Sequence, residues 1–94
     1  MRRISVIGLD GRPLPPEARE LLAGAALVAG GRRHLRELGV EGGRSVALEG
    51  DLSGALERIS AERGPVAVLA SGDPGFFGIV RLLAGRFGRE ALRV

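Results

Sequence analysis

Apolar positions along the chain fall into short unbroken runs separated by helical stripes. Val66, Ala67, Val68, Leu69 and Ala70 are successive and do not alternate with polar residues, which predicts a strand covered on both faces, as in a parallel sheet. Residues 3–8, with Ile4, Val6 and Ile7, read as a first strand and residues 25–29 as a second. Residues 45–48 are a weaker third near an edge, and residues 91–94 begin a fifth. Between these runs the spacing becomes helical. Pro15, Pro16 and Glu17 open a helix that turns Ala18, Leu21 and Leu22 inward and stops at Gly24, with proline and an acid where a first turn favours both. Residues 32–38 form a short helix halted by Gly39. Residues 51–63 give the clearest amphipathic pattern, with Leu52, Ala55, Leu56 and Ile59 on one stripe and Glu57, Arg58 and Glu62 on the wet side. A last helix carries Phe76, Val80, Leu83 and Phe87 at spacings of four, three and four, and Gly88 ends it.

Strands that alternate with helices imply βαβ units with right-handed crossovers. The expected fold is therefore α/β, a three-layer arrangement in which helices flank a five-stranded parallel sheet. The central strands and inward stripes nominate Ile4, Val6, Leu56, Ile59, Val66, Val68, Val80 and Leu83 as core.

Composition narrows this picture. With 94 residues the chain is one small domain, and its core must be aliphatic, since it has three Phe and neither Trp nor Tyr. There is no cysteine and one histidine, His34, so disulfides and a Cys- or His-built metal site are excluded. No run approaches the roughly 20 apolar residues of a membrane span. No signal peptide is visible either, and a soluble cytoplasmic protein is expected. All 14 basic residues are arginine, set against 11 acids for a net charge of +3. The sequence pI of about 11.2 would ordinarily raise nucleic acid as a partner. Here the arginines are dispersed among acids with no aromatic platform, so no nucleic-acid or membrane partner is expected.

Candidate chemistry collects where strands end. Ser71, Gly72, Asp73 and Pro74 break the central apolar run. Asp73 suits an N-cap and Pro74 the first helical position, so the segment reads either as an ordinary capped turn or as a ligand cradle at a strand's carboxyl end. Gly8 and Gly11 bound a turn after the first strand that serves either to reverse the chain or to cover a ligand. After Gly30 and Gly31 come Arg32, Arg33 and His34. A solvated first helical turn accounts for them, yet basic groups at a helix start oppose the macrodipole. No Ser-His-Asp set is apparent, and no catalytic residue is assigned.

Leu69-Ala-Ser-Gly-Asp-Pro-Gly-Phe-Phe-Gly78 resembles the Gly-Asp-Pro loop of the tetrapyrrole methylases. Val6-Ile-Gly-Leu-Asp-Gly11 and Leu27-Val-Ala-Gly-Gly-Arg-Arg-His-Leu35 fit the same family in the same order. Together they are most similar to its precorrin-6Y C5,15-methyltransferase branch in cobalamin biosynthesis. The resemblance implies the amino-terminal domain of that fold, with strand order 3-2-4-1-5. A second domain would follow, absent from these 94 residues, and the cofactor would lie between the two. It implies S-adenosylmethionine held by Ser71, Gly72, Asp73, Pro74 and Phe77 with Gly8 and Gly11, and a precorrin substrate met by Arg32, Arg33 and His34. It further implies a decarboxylating methyltransferase partner, fused or separate. Self-association as a homodimer and inactivity of this half alone are also expected. Where the family carries a longer glycine-rich element after the first strand, this chain has Leu9 and Asp10 between Gly8 and Gly11. Two other readings stay open: a related methylase acting on ribosomal RNA or a diphthamide intermediate, and a non-catalytic flavodoxin-like binding or assembly module.

Overall fold

The computed structural model describes residues 3–40, 42–71 and 75–93, with side chains left out at 75–77. Its elements run β1 (Ile4–Leu9), α1 (Pro16–Gly24), β2 (Leu27–Gly30), α2 (Arg32–Glu37), β3 (Ser45–Ala47), α3 (Ser53–Ala61), β4 (Val66–Ser71), α4 (Gly75–Phe87) and β5 (Leu92–Arg93). Short 3-10 turns at Gly42–Arg44 and Arg89–Ala91 lead into β3 and β5. All strand pairs are parallel, in the order β3-β2-β4-β1-β5, the order that the resemblance implied.

The unalternating run of β4 has a direct explanation in this architecture. Val66, Val68 and Ala70 turn to one face, where they meet Ile4, Leu27, Leu56 and Ile59 of α3 and Leu83 of α4. Ala67 and Leu69 turn to the other, against Ile7, Val28, Leu22 of α1 and Leu35 of α2. The strand is buried between two helical layers, so both of its faces must be apolar. Its register fixes the rest: β1 pairs along it from Ile4↔Val66 to Leu9↔Ser71, and β2 pairs from Leu27↔Val66.

Several boundaries differ from the sequence expectation. The second strand starts at Leu27, not Ala25, because the Ala25 amide still donates to the Leu22 carbonyl at the end of α1. The Ala26 amide then donates to Pro65 at 2.8 Å, bringing the chain into register with β4. The amphipathic helix is shorter at both ends, and the Asp51 carboxylate accepts the Ser53 amide at 3.0 Å just before it begins. The fifth strand shrinks to Leu92–Arg93, because residues 89–91 take a tight turn after Gly88, whose φ is +87°. Phe76 and Val94, expected in the core and in that strand, fall outside the described side chains and residues.

Seven of the eight core nominees are buried. Val80 is the exception: it is half-buried and packs at the margin of the α3/α4 cluster. Leu83 takes the centre of α4's contact, with 0% exposure. Arg44 has a structural role that the sequence did not signal. Its guanidinium donates to the carbonyls of Leu22 (3.2 Å) and Ala25 (2.9 Å), satisfying acceptors at the end of α1 and tying that end to β3.

Candidate functional site

Parallel strands place all their carboxyl ends on one edge, and the connections that leave this edge form the site. Ser71 is the last residue of β4, paired with Leu9 at the end of β1. It is exposed, and α4 starts at Gly75, next to Pro74. Gly72, Asp73 and Pro74, and the Phe77 side chain, lie outside the described residues and side chains.

Two hollows open on this edge. One, of about 380 Å³, lies between β4, α4 and the connections after β2 and β3, and is lined by Gly31, His34, Leu48, Leu52, Ile79 and Leu82 together with Ser71. The second, of about 270 Å³, is lined by Leu9, Gly11, Arg12, His34, Glu37 and Ser71 among others. Either is near or within the roughly 300–1,000 Å³ range of small-molecule sites. His34 and Ser71 belong to both and so stand between them. Among the described residues neither side chain has a hydrogen-bond partner, which leaves an imidazole and a hydroxyl available to a ligand. Gly11, at φ +85°, sits where an added Cβ would meet nothing within 4 Å. Its turn is fixed by the Arg12 amide donating to Asp10 at 3.0 Å.

The remaining sequence candidates are distributed differently. Gly8, opposite Ala70, lines a separate hollow of about 670 Å³ against α1. Arg32 follows Gly31 and pairs with Glu49 at 2.8 Å, while Arg33 pairs with Glu37 at 3.7 Å along α2. The geometry thus brings together Ser71, Gly11 and His34; Arg33 reaches that wall through Glu37, whereas Arg32 lines another hollow with Leu35, Val40 and Ala47. Leu48, Leu52, Ile79 and Leu82 were missed by sequence reasoning as site residues. A signal existed in Leu82-Leu83, of which only one can face the core. Close packing also shapes this edge: a Cβ on Gly30 would lie 2.9 Å from the Leu69 Cβ, so β2 and β4 reach the site with glycine at their closest approach.

The residues present suit S-adenosylmethionine in kind: a glycine turn for close backbone approach, a hydroxyl and an imidazole without a partner among the described residues, and an apolar wall. Among the described residues there is no cluster of metal-binding side chains, and no helix there is long and apolar enough to cross a membrane.

Comparison with known proteins gives the chain its relatives. It is 40% identical over 95 residues to the cobalt-precorrin-7 C(5)-methyltransferase of Salmonella typhimurium, an alignment covering 97% of this chain and 47% of that enzyme. It is 44% identical over 91 residues to the decarboxylating precorrin-6Y C(5,15)-methyltransferase of a Sinorhizobium species, covering 93% of this chain and 22% of that protein. No family model matches the chain, and no solved structure matches it. With such identity along almost its whole length, the chain belongs to the tetrapyrrole methylase family, beside the precorrin C5-methyltransferases. It spans about half the length of the Salmonella relative.

Proposed function

We propose that this chain is the amino-terminal domain of a cytoplasmic, S-adenosylmethionine-dependent precorrin methyltransferase of cobalamin biosynthesis, acting at C5 or at C5 and C15. The observation that carries this reading is 40% identity over 97% of the chain to an enzyme named for C5 methylation, with Ser71, Gly11 and His34 gathered on one edge of the sheet. S-adenosylmethionine supplies an activated methyl group on a sulfonium, so the protein's task is alignment and exclusion of water. Ser71 and the turn after it, with the Gly11 turn opposite, would hold the cofactor. Arg32 would hold a carboxylate of the precursor ring, since guanidinium and carboxylate pair through parallel hydrogen bonds, and His34 would offer a further contact.

A second domain would supply the opposing wall of the cleft. Without it, little of a small ligand's surface is covered, whereas a complete site covers about 70–90%. The 94-residue chain should accordingly bind S-adenosylhomocysteine weakly and methylate nothing alone. A longer form should bind tightly and turn over, with the decarboxylating activity fused to it or on a separate partner. Calorimetry with S-adenosylhomocysteine on both forms, followed by a methylation assay on precorrins, tests the reading. Absence of binding by the longer form would reject a methyltransferase, and binding without turnover on precorrins would move the substrate elsewhere.

A further inference from the structure

The two outer edges of the sheet are finished differently. At one, β5 is two residues long and carries Arg93; at the other stands β3, Ser45–Ala47. Sheets commonly blunt an open edge with charges or proline, and β3 has neither. The charges that flank it are turned away or engaged. The Arg44 guanidinium donates inward to the carbonyls of Leu22 and Ala25, and Glu49 pairs with Arg32 at 2.8 Å. The Leu48 amide donates to the Gly30 carbonyl of β2. By the alternation of a parallel ladder, the amide and carbonyl of Ala47 therefore face outward.

A hollow of about 300 Å³ lies against the same edge. It is lined by Arg32, Leu35, Arg36 and Val40 from α2 and the turn after it, and by Ser45 and Ala47 of β3. Leu35 and Val40 are buried and give it an aliphatic floor. Arg32 is taken by Glu49, whereas among the described residues Arg36 has no acid partner. Val46, between the two lining residues of β3, turns to the opposite face and packs against the cluster that contains Leu56 and Ile59 of α3. The edge thus offers a guanidinium on one face, an aliphatic side chain on the other, and open backbone groups between them.

We propose that this edge is a docking surface for an extended acidic segment of another protein, which joins the sheet as an added strand beside β3. Backbone pairing with Ala47 supplies the attachment, and the alternating side chains of the incoming strand supply the selection. Those on the α2 side are acidic, and one carboxylate sits on Arg36, which can hold it through paired hydrogen bonds. Those on the α3 side are aliphatic and extend the surface begun by Val46. This hollow shares no lining residue with the two that His34 and Ser71 border, so the docking surface is separate from the candidate methyl-transfer site.

The test titrates the isotope-labelled chain with a capped peptide of alternating valine and glutamate, followed by nuclear magnetic resonance, with a valine–lysine peptide as control. The amides of Arg36, Ser45, Val46 and Ala47 should shift, and solvent exchange of the Ala47 amide should slow as it donates to the peptide. Arg36→Glu, at an exposed position, should keep the dispersed spectrum and weaken binding about tenfold, equivalent to roughly 1.4 kcal/mol. Ala47→Pro removes the outward amide without breaking a bond to β2 and should weaken binding comparably. No shift at these amides, equal binding of the lysine peptide, affinity indifferent to Arg36→Glu, or the same shifts produced by glutarate alone would overturn the proposal. Ala47 shifts that grow with the chain's own concentration, peptide absent, would overturn it in favour of a second copy.

Discussion

At the amino ends of the central strands, Ile4, Leu27 and Val66 are at most 1% exposed, and the Pro65 carbonyl accepts two amides where β2 enters the sheet. At the carboxyl ends of the same strands, Leu9 is half-buried, Ser71 is exposed and two hollows open between the departing segments. One end is packed for stability, while the other leaves aliphatic and polar groups uncovered. The contrast teaches where each property is held: substitutions near the amino end and the sheet's centre should change folding, and those around the hollows should change binding.

The largest effects test the packed side. Ile59→Ala removes a side chain with 0% exposure and should destabilise the domain by about 2–5 kcal/mol, while Val68→Ala in the central strand should cost roughly 1–3 kcal/mol. Denaturant midpoints unchanged within error would show that this packing does not hold the fold. Gly30→Ala sharpens the boundary between the two ends. Its Cβ would lie 2.9 Å from the Leu69 Cβ, too close without movement of strand backbone, so about 1–3 kcal/mol should be lost to overpacking. Chemical shifts at Gly31 and Ser71 should move with it. A stable variant with an unaltered carboxyl edge would mean that the close approach of β2 and β4 does not shape the site.

Smaller effects belong to the open side and its margins. Leu82→Glu should leave stability within about 0.5 kcal/mol, as expected for an exposed position. A large drop in the melting midpoint would place Leu82 in the core instead. The smallest effect concerns acid. The Ser53 amide, followed by the Ser53 side chain, holds the Asp51 carboxyl below its ordinary value of 3.8. Because the folded-state pKa is depressed, the contribution is present above that ordinary value and is lost as pH falls through the lowered one. Asp51→Asn keeps an acceptor for the Ser53 amide without a titrating charge. Its Tm should therefore fall less than that of the unaltered chain on acidification below 3.8, and parallel falls would exclude the carboxylate as a source of acid sensitivity.

Much of the fold was legible because the apolar pattern is local. The run from Val66 to Ala70 announced a strand with two covered faces, and both faces are covered. The stripe of Leu56 and Ile59 identified the buried side of α3, and glycines marked the ends of α2 and α4. Strand order came from the resemblance rather than from the pattern, since periodicity says which face is buried but not which strand is the neighbour. Boundaries slipped where a competing hydrogen bond decided them, as at Ala25. Val80 was misjudged because helical spacing cannot separate the centre of a buried stripe from its margin.

The sequence by itself determined the elements, the aliphatic core and, to within one residue, the end of the central strand, which runs on to Ser71, because propensity, turn chemistry and hydrophobic period act over a few neighbouring residues. It also carried the family motifs. Only the tertiary structure decided which side chains share a wall. His34 and Ser71 are far apart in the chain and meet between the same hollows, and Arg32 is set against Glu49 across the β2–β3 edge. Leu48, Leu52 and Leu82 carry no chemical signature alone and come to line one hollow only because the β3–α3 connection and α4 converge beside β4. The physical reason is that a site is a property of distances between segments, and parallel pairing through β4 brings those carboxyl ends to one edge.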